Sequence, residues 1–188
     1  MYYKFLIFLL FPLIFGERTN GQSNHFISLG ADLSIPIKNL GSKTPTSIGG
    51  SIDYQLKFKA PVGLQAHVGF NRFKGAIFGT ILNFLPIRVG VVGYLYKDLL
   101  FVSADAGVSF YSSPNGGLPA QTGFGFGAGA GYRQPVNKNQ FIQLSGYYNL
   151  HKYKDTPYGT PLEYNFTWFN IRLAYGFSFG KGKDKKNE

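Results

Sequence analysis

Three sets of residues in this sequence have types and spacings that could do chemistry. The stretch GFGFGAGAGYR, Gly123 to Arg133, satisfies the string G-x-G-x-x-G/A through Gly123, Gly125 and Ala128. A phosphate-cradling loop of that kind needs a following helix whose N-terminus faces the phosphate. The residues that follow, QPVNKNQ, read as a turn instead. The second set is histidine: His151 has Ser145, Asp155 and Glu163 in its sequence neighbourhood, the residue types of hydrolytic catalysis. The contexts NLHKYK and QAHVGF around His151 and His67 contain no closely spaced His-x-Ser pair, so both are expected to be packed histidines. His25 falls in the segment before the main patterned region. With no cysteine and no clustered histidines, thiol nucleophiles, metal sites and cofactors are not expected. The third set is charge, Asp32, Asp53 and Asp105 against Arg88, Arg133 and Arg172, equal in number and each placed mid-pattern.

The elements that hold these residues share one period. Ile27, Leu29, Ala31, Leu33 and Ile35 alternate with Ser28, Gly30, Asp32 and Ser34. The same period of two recurs over about 46–59, 63–73, 84–96, 99–111, 123–133, 141–151 and 166–180, which predicts eight strands with 24–35. No amphipathic helix is found. Within the glycine stretch, Phe124, Phe126, Ala128, Ala130 and Tyr132 form one face; Gly123, Gly125, Gly127, Gly129 and Gly131 form the other, which no flexible spacer would maintain.

An even number of strands, each long enough to cross a bilayer when tilted, suggests a transmembrane barrel. The connections alternate accordingly. KAPV, YKDL and QPVNKN are short, whereas 36–45, 74–83, 112–122 and 152–165 are long and rich in Gly, Pro, Asn, Thr and Lys. A soluble sandwich or barrel would carry its charges outside; here they share the small-polar face, and Arg72 alone interrupts the apolar one. At the N-terminus, Lys4 and the apolar run Phe5 to Phe15 suit a cleaved signal peptide, with cleavage expected between Gly21 and Gln22. The expected organisation is a signal peptide over 1–21, a barrel over 22–180 and a basic tail over 181–188. Export puts the long connections outside the cell. It also argues against nucleic acid as the partner of a chain of net charge +10, which suits anionic lipid headgroups or polysaccharide better.

The segments LPIRVGVVGYLY, LFVSADAGVSF, GFGFGAGAGYR and AYGFSFGK resemble the small outer-membrane β-barrels of the OmpA/OmpX transmembrane type, in particular the PorT-like (porin-like) barrel domains. The resemblance covers the mature chain. It implies an all-β, eight-stranded antiparallel transmembrane barrel in the bacterial outer membrane. It also implies an insertion signal at Tyr175, Phe177 and Phe179, read by the barrel-insertion machinery, although residues 180–188 follow it here.

An interior this narrow is filled by its own side chains. Asp32, Asp53, Asp105, Arg88, Arg133 and Arg172, with Lys57, are therefore expected to pair in a lumen network, because buried charge is costly alone. The inward glycines leave room for large neighbours such as Phe101, Tyr147 or Trp168; if that room were empty, it would be a ligand pocket. Phe26, Phe58, Phe70, Phe110, Tyr132, Phe141, Trp168 and Tyr175, at strand ends, are expected to form an interfacial aromatic girdle. The function expected is non-enzymatic. A monomeric barrel contacts outer-membrane lipid and presents SSPNGGLPAQT and KYKDTPYGTPLEYN to an extracellular partner. The competing readings are a narrow channel or conduit for a small apolar ligand, and an outer-leaflet lipid-modifying enzyme using His151.

Overall fold

The computed structural model describes residues 24–37, 46–58, 60–74, 81–96, 98–113, 120–155 and 162–179. The expected signal peptide and basic tail lie outside them, as do the middles of the four long connections. Eight strands form a closed barrel in sequence order: β1 (Asn24–Ile37), β2 (Ser47–Lys57), β3 (Val62–Lys74), β4 (Ile81–Leu95), β5 (Leu100–Ser112), β6 (Gln121–Pro135), β7 (Gln140–Asp155) and β8 (Leu162–Phe179). Every neighbouring pair is antiparallel, and β1 closes on β8 from His25 opposite Phe179 to Ile37 opposite Thr167. Closure leaves no unpaired edge, the condition a sheet must meet inside hydrocarbon.

Side-chain parity follows the sequence pattern. One face of each strand is buried in the lumen. The other exposes large apolar groups, among them Leu29 at 66%, Ile48 at 76%, Val89 at 68% and Leu173 at 60%. An aqueous protein does not present a continuous apolar belt of this kind, whereas hydrocarbon solvates it.

The strands differ from the sequence reading chiefly at one end. β7 runs to Asp155 and β8 starts at Leu162, paired with each other at that point. Most of KYKDTPYGTPLEYN is therefore strand, and its connection shrinks to 156–161. The alternation continues through this extension, with His151 and Tyr153 buried and Lys152 and Lys154 exposed. Lys74, Lys152, Lys154 and Glu163 thus join Arg72 as outward charges, all towards the same end of the barrel.

Three members of the expected girdle are corrected. Phe26, Phe141 and Trp168 are buried in the lumen, because each shares parity with inward polar residues of its own strand: Ser28, Gln143 and Asn170. Phe58, Phe70, Phe110, Tyr132 and Tyr175 do face outward, as do Phe177 and Phe179.

The glycine stripe of β6 makes room for specific side chains. A β-carbon at Gly131 would lie 2.4 Å from Phe101 Cζ, and one at Gly129 2.5 Å from Tyr147 Cδ1. At Gly127 it would meet Asp105 Oδ1 at 2.4 Å, at Gly125 the His151 ring at 2.9 Å, and at Gly123 Tyr153 Cδ1 at 2.5 Å. Phe101 and Tyr147 occupy the space expected of them. Trp168 does not reach the stripe; it stacks on His151, which does. No ligand-sized gap remains beside these glycines. A Gly129→Ala β-carbon would also lie 2.4 Å from the Gly146 carbonyl oxygen, a backbone atom that cannot swing away. That substitution should destabilise the barrel by about 1–3 kcal/mol, as overpacking does. Outward Gly50, whose nearest such contact is 3.5 Å, should accept alanine within about 0.5 kcal/mol. Urea titration in lipid vesicles, read by the heat-modifiable gel migration of the folded barrel, measures both.

Candidate functional site

The lumen is built in three layers, each dictated by what the inward positions of the eight strands offer at one height. The extracellular layer is aromatic: Phe73, Leu82, Phe84, Tyr111, Tyr153, Phe166 and Trp168 form one buried cluster. Phe84 is at its centre, 5.0 Å from the Trp168 ring and 5.3 Å from both Tyr111 and Phe166. His151 lies beneath, fully buried and stacked on Trp168 at 4.2 Å with the planes 3° apart.

The middle layer holds the charges. Arg172 and Asp32 are cross-strand neighbours, and the guanidinium Nε donates to Asp32 at 2.7 Å. Its Nη1 donates to Asp53, which also contacts His67 Nδ1 at 2.7 Å. One arginine thus serves two carboxylates and lies 5.0 Å over the Tyr147 ring. Arg88 makes a second centre. It is 3.0 Å from Asp105 and donates to Asn149 at 2.8 Å and to the Phe126 carbonyl at 3.2 Å. Above these groups, the Ser34 hydroxyl bridges the side chains of Asn71 and Asn170, 2.6 Å from each.

The periplasmic layer is a second aromatic cluster, Phe26, Val92, Tyr94, Phe101, Phe141 and Tyr147. Arg133 is embedded in it, 4.1 Å from the Phe26 ring centre and 4.6 Å from that of Phe141. Its Nη2 donates to Gln55 at 2.7 Å and to Gln143 at 3.2 Å. Gln55 also accepts from the Tyr94 hydroxyl and donates to Gln65, which donates to Asp105 at 3.1 Å. Amide side chains therefore connect the lower cation to the middle layer.

This arrangement corrects the expected network in two places. Arg133 has no carboxylate partner among the described residues; ring faces and glutamine oxygens hold it instead. Lys57 pairs with Asp98 in the turn between β4 and β5, near the Tyr94 ring and apart from the other acids. Asp98 belongs to a turn, where period-two reading assigns no face. His67, Gln55, Gln65 and Asn149 were also missed as members of the network. Each has inward parity, the signal that could have found them.

The structure does not bring Ser145 or Glu163 to His151. Ser145 is six residues below on the same strand, roughly 20 Å away at the usual strand rise. Glu163 faces outward and pairs with Lys154 at 3.0 Å. No group of His, Asp and Glu among the described residues could hold a metal ion.

A closed barrel, apolar outside and filled inside by paired charges and aromatic rings, defines the class of small outer-membrane β-barrel proteins. No protein-family model matches the chain, and no curated protein matches it in sequence. Solved structures do. Neisserial surface protein A superposes with a TM-score of 0.57 at 15% identity, covering 82% of this chain and 97% of that one. Ail, the attachment invasion locus protein of Yersinia pestis, gives 0.57 at 16%, covering 85% and 100%. Ail in complex with the heparin analogue sucrose octasulfate gives 0.52 at 18%, with the same coverage. OprG from Pseudomonas aeruginosa gives 0.50 at 14%, covering 85% and 98%. What these proteins share with this chain is the fold.

Replacing Arg172 with methionine strands Asp32 and Asp53 without their common cation. Removing one partner of a buried pair should cost about 3–5 kcal/mol. Lys57→Met, at the part-buried rim pair with Asp98, should cost less, about 1 kcal/mol. Urea midpoints of the two variants compare them directly, and equal losses would contradict the layered arrangement.

Proposed function

We propose that the protein is a non-enzymatic, plugged outer-membrane scaffold whose extracellular connections recognise a partner, with anionic glycan as the partner class. The observation that carries this reading is the filled lumen. Two aromatic layers close the ends of a paired polar middle, and the glycine stripe is occupied along its whole length. Passage of solute would require breaking buried ion pairs, which is costly. The surface left for recognition is the extracellular end, where the long connections emerge beside exposed Lys74, Lys152 and Lys154. The complex of Ail with a heparin analogue is consistent with such a role on this fold.

Two measurements test the proposal. In planar bilayers the protein should show no discrete openings; openings abolished by Arg133→Ala would replace the plugged scaffold with a channel. Cells displaying the protein should be retained on immobilised heparin. Retention should fall by about tenfold, the equivalent of about 1.4 kcal/mol, when 113–120 and 156–161 are replaced by tight turns that leave heat-modifiable migration unchanged. Equal retention of cells lacking the protein would remove the glycan assignment.

A further inference from the structure

A groove opens in the wall of the barrel, lined by outward-facing residues together with Phe84 and Tyr111 of the extracellular lumen cluster. It has a volume of about 330 Å³, the low end of the range for ligand sites. It crosses β3 to β6 near the extracellular end, and strand register resolves it into two rows. The lower row is apolar: Phe70 of β3, then Leu85, Phe110 and Thr122, with Leu85 opposite Phe110 and Phe110 opposite Thr122. The upper row is polar: Asn83 and Ser112, opposite each other, line the groove, and Arg72, opposite Asn83 on β3, stands beside it. Small side chains in the upper row and large ones below leave the hollow.

The wall itself is altered there. Pairing of β3 with β4 runs to Val68 opposite Ile87 and resumes at Asn71 opposite Phe84. Pro86 falls in the gap, and having no N–H it cannot complete the ladder. Asn83 Oδ1 is buried beside the hollow with no hydrogen-bond partner among the described residues, an uncompensated acceptor of the kind that calls for an explanation. Arg72 is exposed on the lipid-facing side and has no ion-pair partner among the described residues. It is the eleventh residue of β3, counted from Val62. A strand of about 9–11 residues spans the hydrocarbon, so Arg72 is at the headgroup boundary of the outer leaflet, and Phe70 just below it is within the acyl region.

We infer that this groove is a binding site for a phosphorylated glycolipid of the outer leaflet. The chemistry matches part by part. Arg72 offers a planar fork for a phosphate, and Lys74 adds positive charge beyond it. Asn83 and Ser112 of the upper row, and the Thr122 hydroxyl that ends the apolar row, face sugar hydroxyls. Phe70, Leu85 and Phe110 line a channel for an acyl chain. Charge complementarity selects an anionic lipid, and the polar row beside the arginine selects one whose phosphate is carried on a sugar.

The test is native mass spectrometry of the full-length protein extracted from membranes in a zwitterionic detergent and titrated with bisphosphorylated lipid A. One tightly held lipid per barrel is expected. A hydrogen bond to a charged group is among the stronger contacts a site can lose. Arg72→Gln, or removal of the lipid phosphates, should therefore weaken retention by roughly tenfold or more. Ser112→Trp, which fills the hollow without touching the charge, should do likewise. Lys138→Gln, exposed in the turn between β6 and β7 at the other end of the barrel, should leave retention unchanged. Heat-modifiable migration verifies that each variant is folded. Undiminished retention by Arg72→Gln overturns the site, and so does an equal loss with Lys138→Gln, which would mean attraction to net positive charge alone. Equal retention of phosphatidylglycerol overturns the assignment to a glycolipid.

Discussion

Inside a bilayer no water is available to satisfy a backbone N–H or C=O, so each such group must find its partner within the chain. The pairing of β1 with β8 meets that demand, and much else in the structure follows from it. Once the sheet is closed, every strand has a lipid side and a lumen side, and a residue's position along the chain decides which solvent it meets. Leu29 and Asp32, three residues apart, therefore occupy opposite environments. The interior of an eight-stranded barrel is narrow enough that inward groups from different strands must touch, so the lumen becomes a packing problem of charges, amides and rings.

The lumen answers that problem by placing charge where flanking layers can shield it. Arg172 is shared by Asp32 and Asp53, and Arg88 is held by Asp105 and Asn149. Both centres lie between aromatic clusters that seal them from each end. Arg133 departs from this scheme, since ring faces and glutamine oxygens neutralise it in place of an acid. Guanidinium is weakly hydrated and stacks on aromatic faces, which lets it occupy a mostly apolar layer that would exclude a lysine. The rim pair Lys57–Asp98 is only partly buried, so solvent screens it more than the pairs of the middle layer.

Strand parity was legible throughout, because lipid and lumen impose opposite demands on alternate residues and the sequence records both. Position along a strand and parity point to different environments at a few residues. Proximity to strand ends suggests an interfacial girdle for Phe26, Phe141 and Trp168, yet each alternates in phase with inward polar residues and is buried. The extension of β7 and β8 was likewise visible as continued alternation through Lys152, Tyr153 and Lys154. The turn-like composition of 156–161 drew the boundary too early.

What the sequence by itself determined was the solvent each residue faces, and with it the barrel, its closure and the inward location of Asp32, Asp53, Asp105, Arg88, Arg133 and Arg172. That information is local, since period two needs only neighbouring residues. Tertiary structure alone decided which inward groups meet: Arg172 with two acids from β1 and β2, Arg133 with rings from β1 and β7, and His151 between Gly125 and Trp168. It also aligned Arg72, Asn83 and Ser112 into one row on the outer wall. Those meetings depend on register and on the stagger of strands around a closed cylinder, quantities that no single strand encodes.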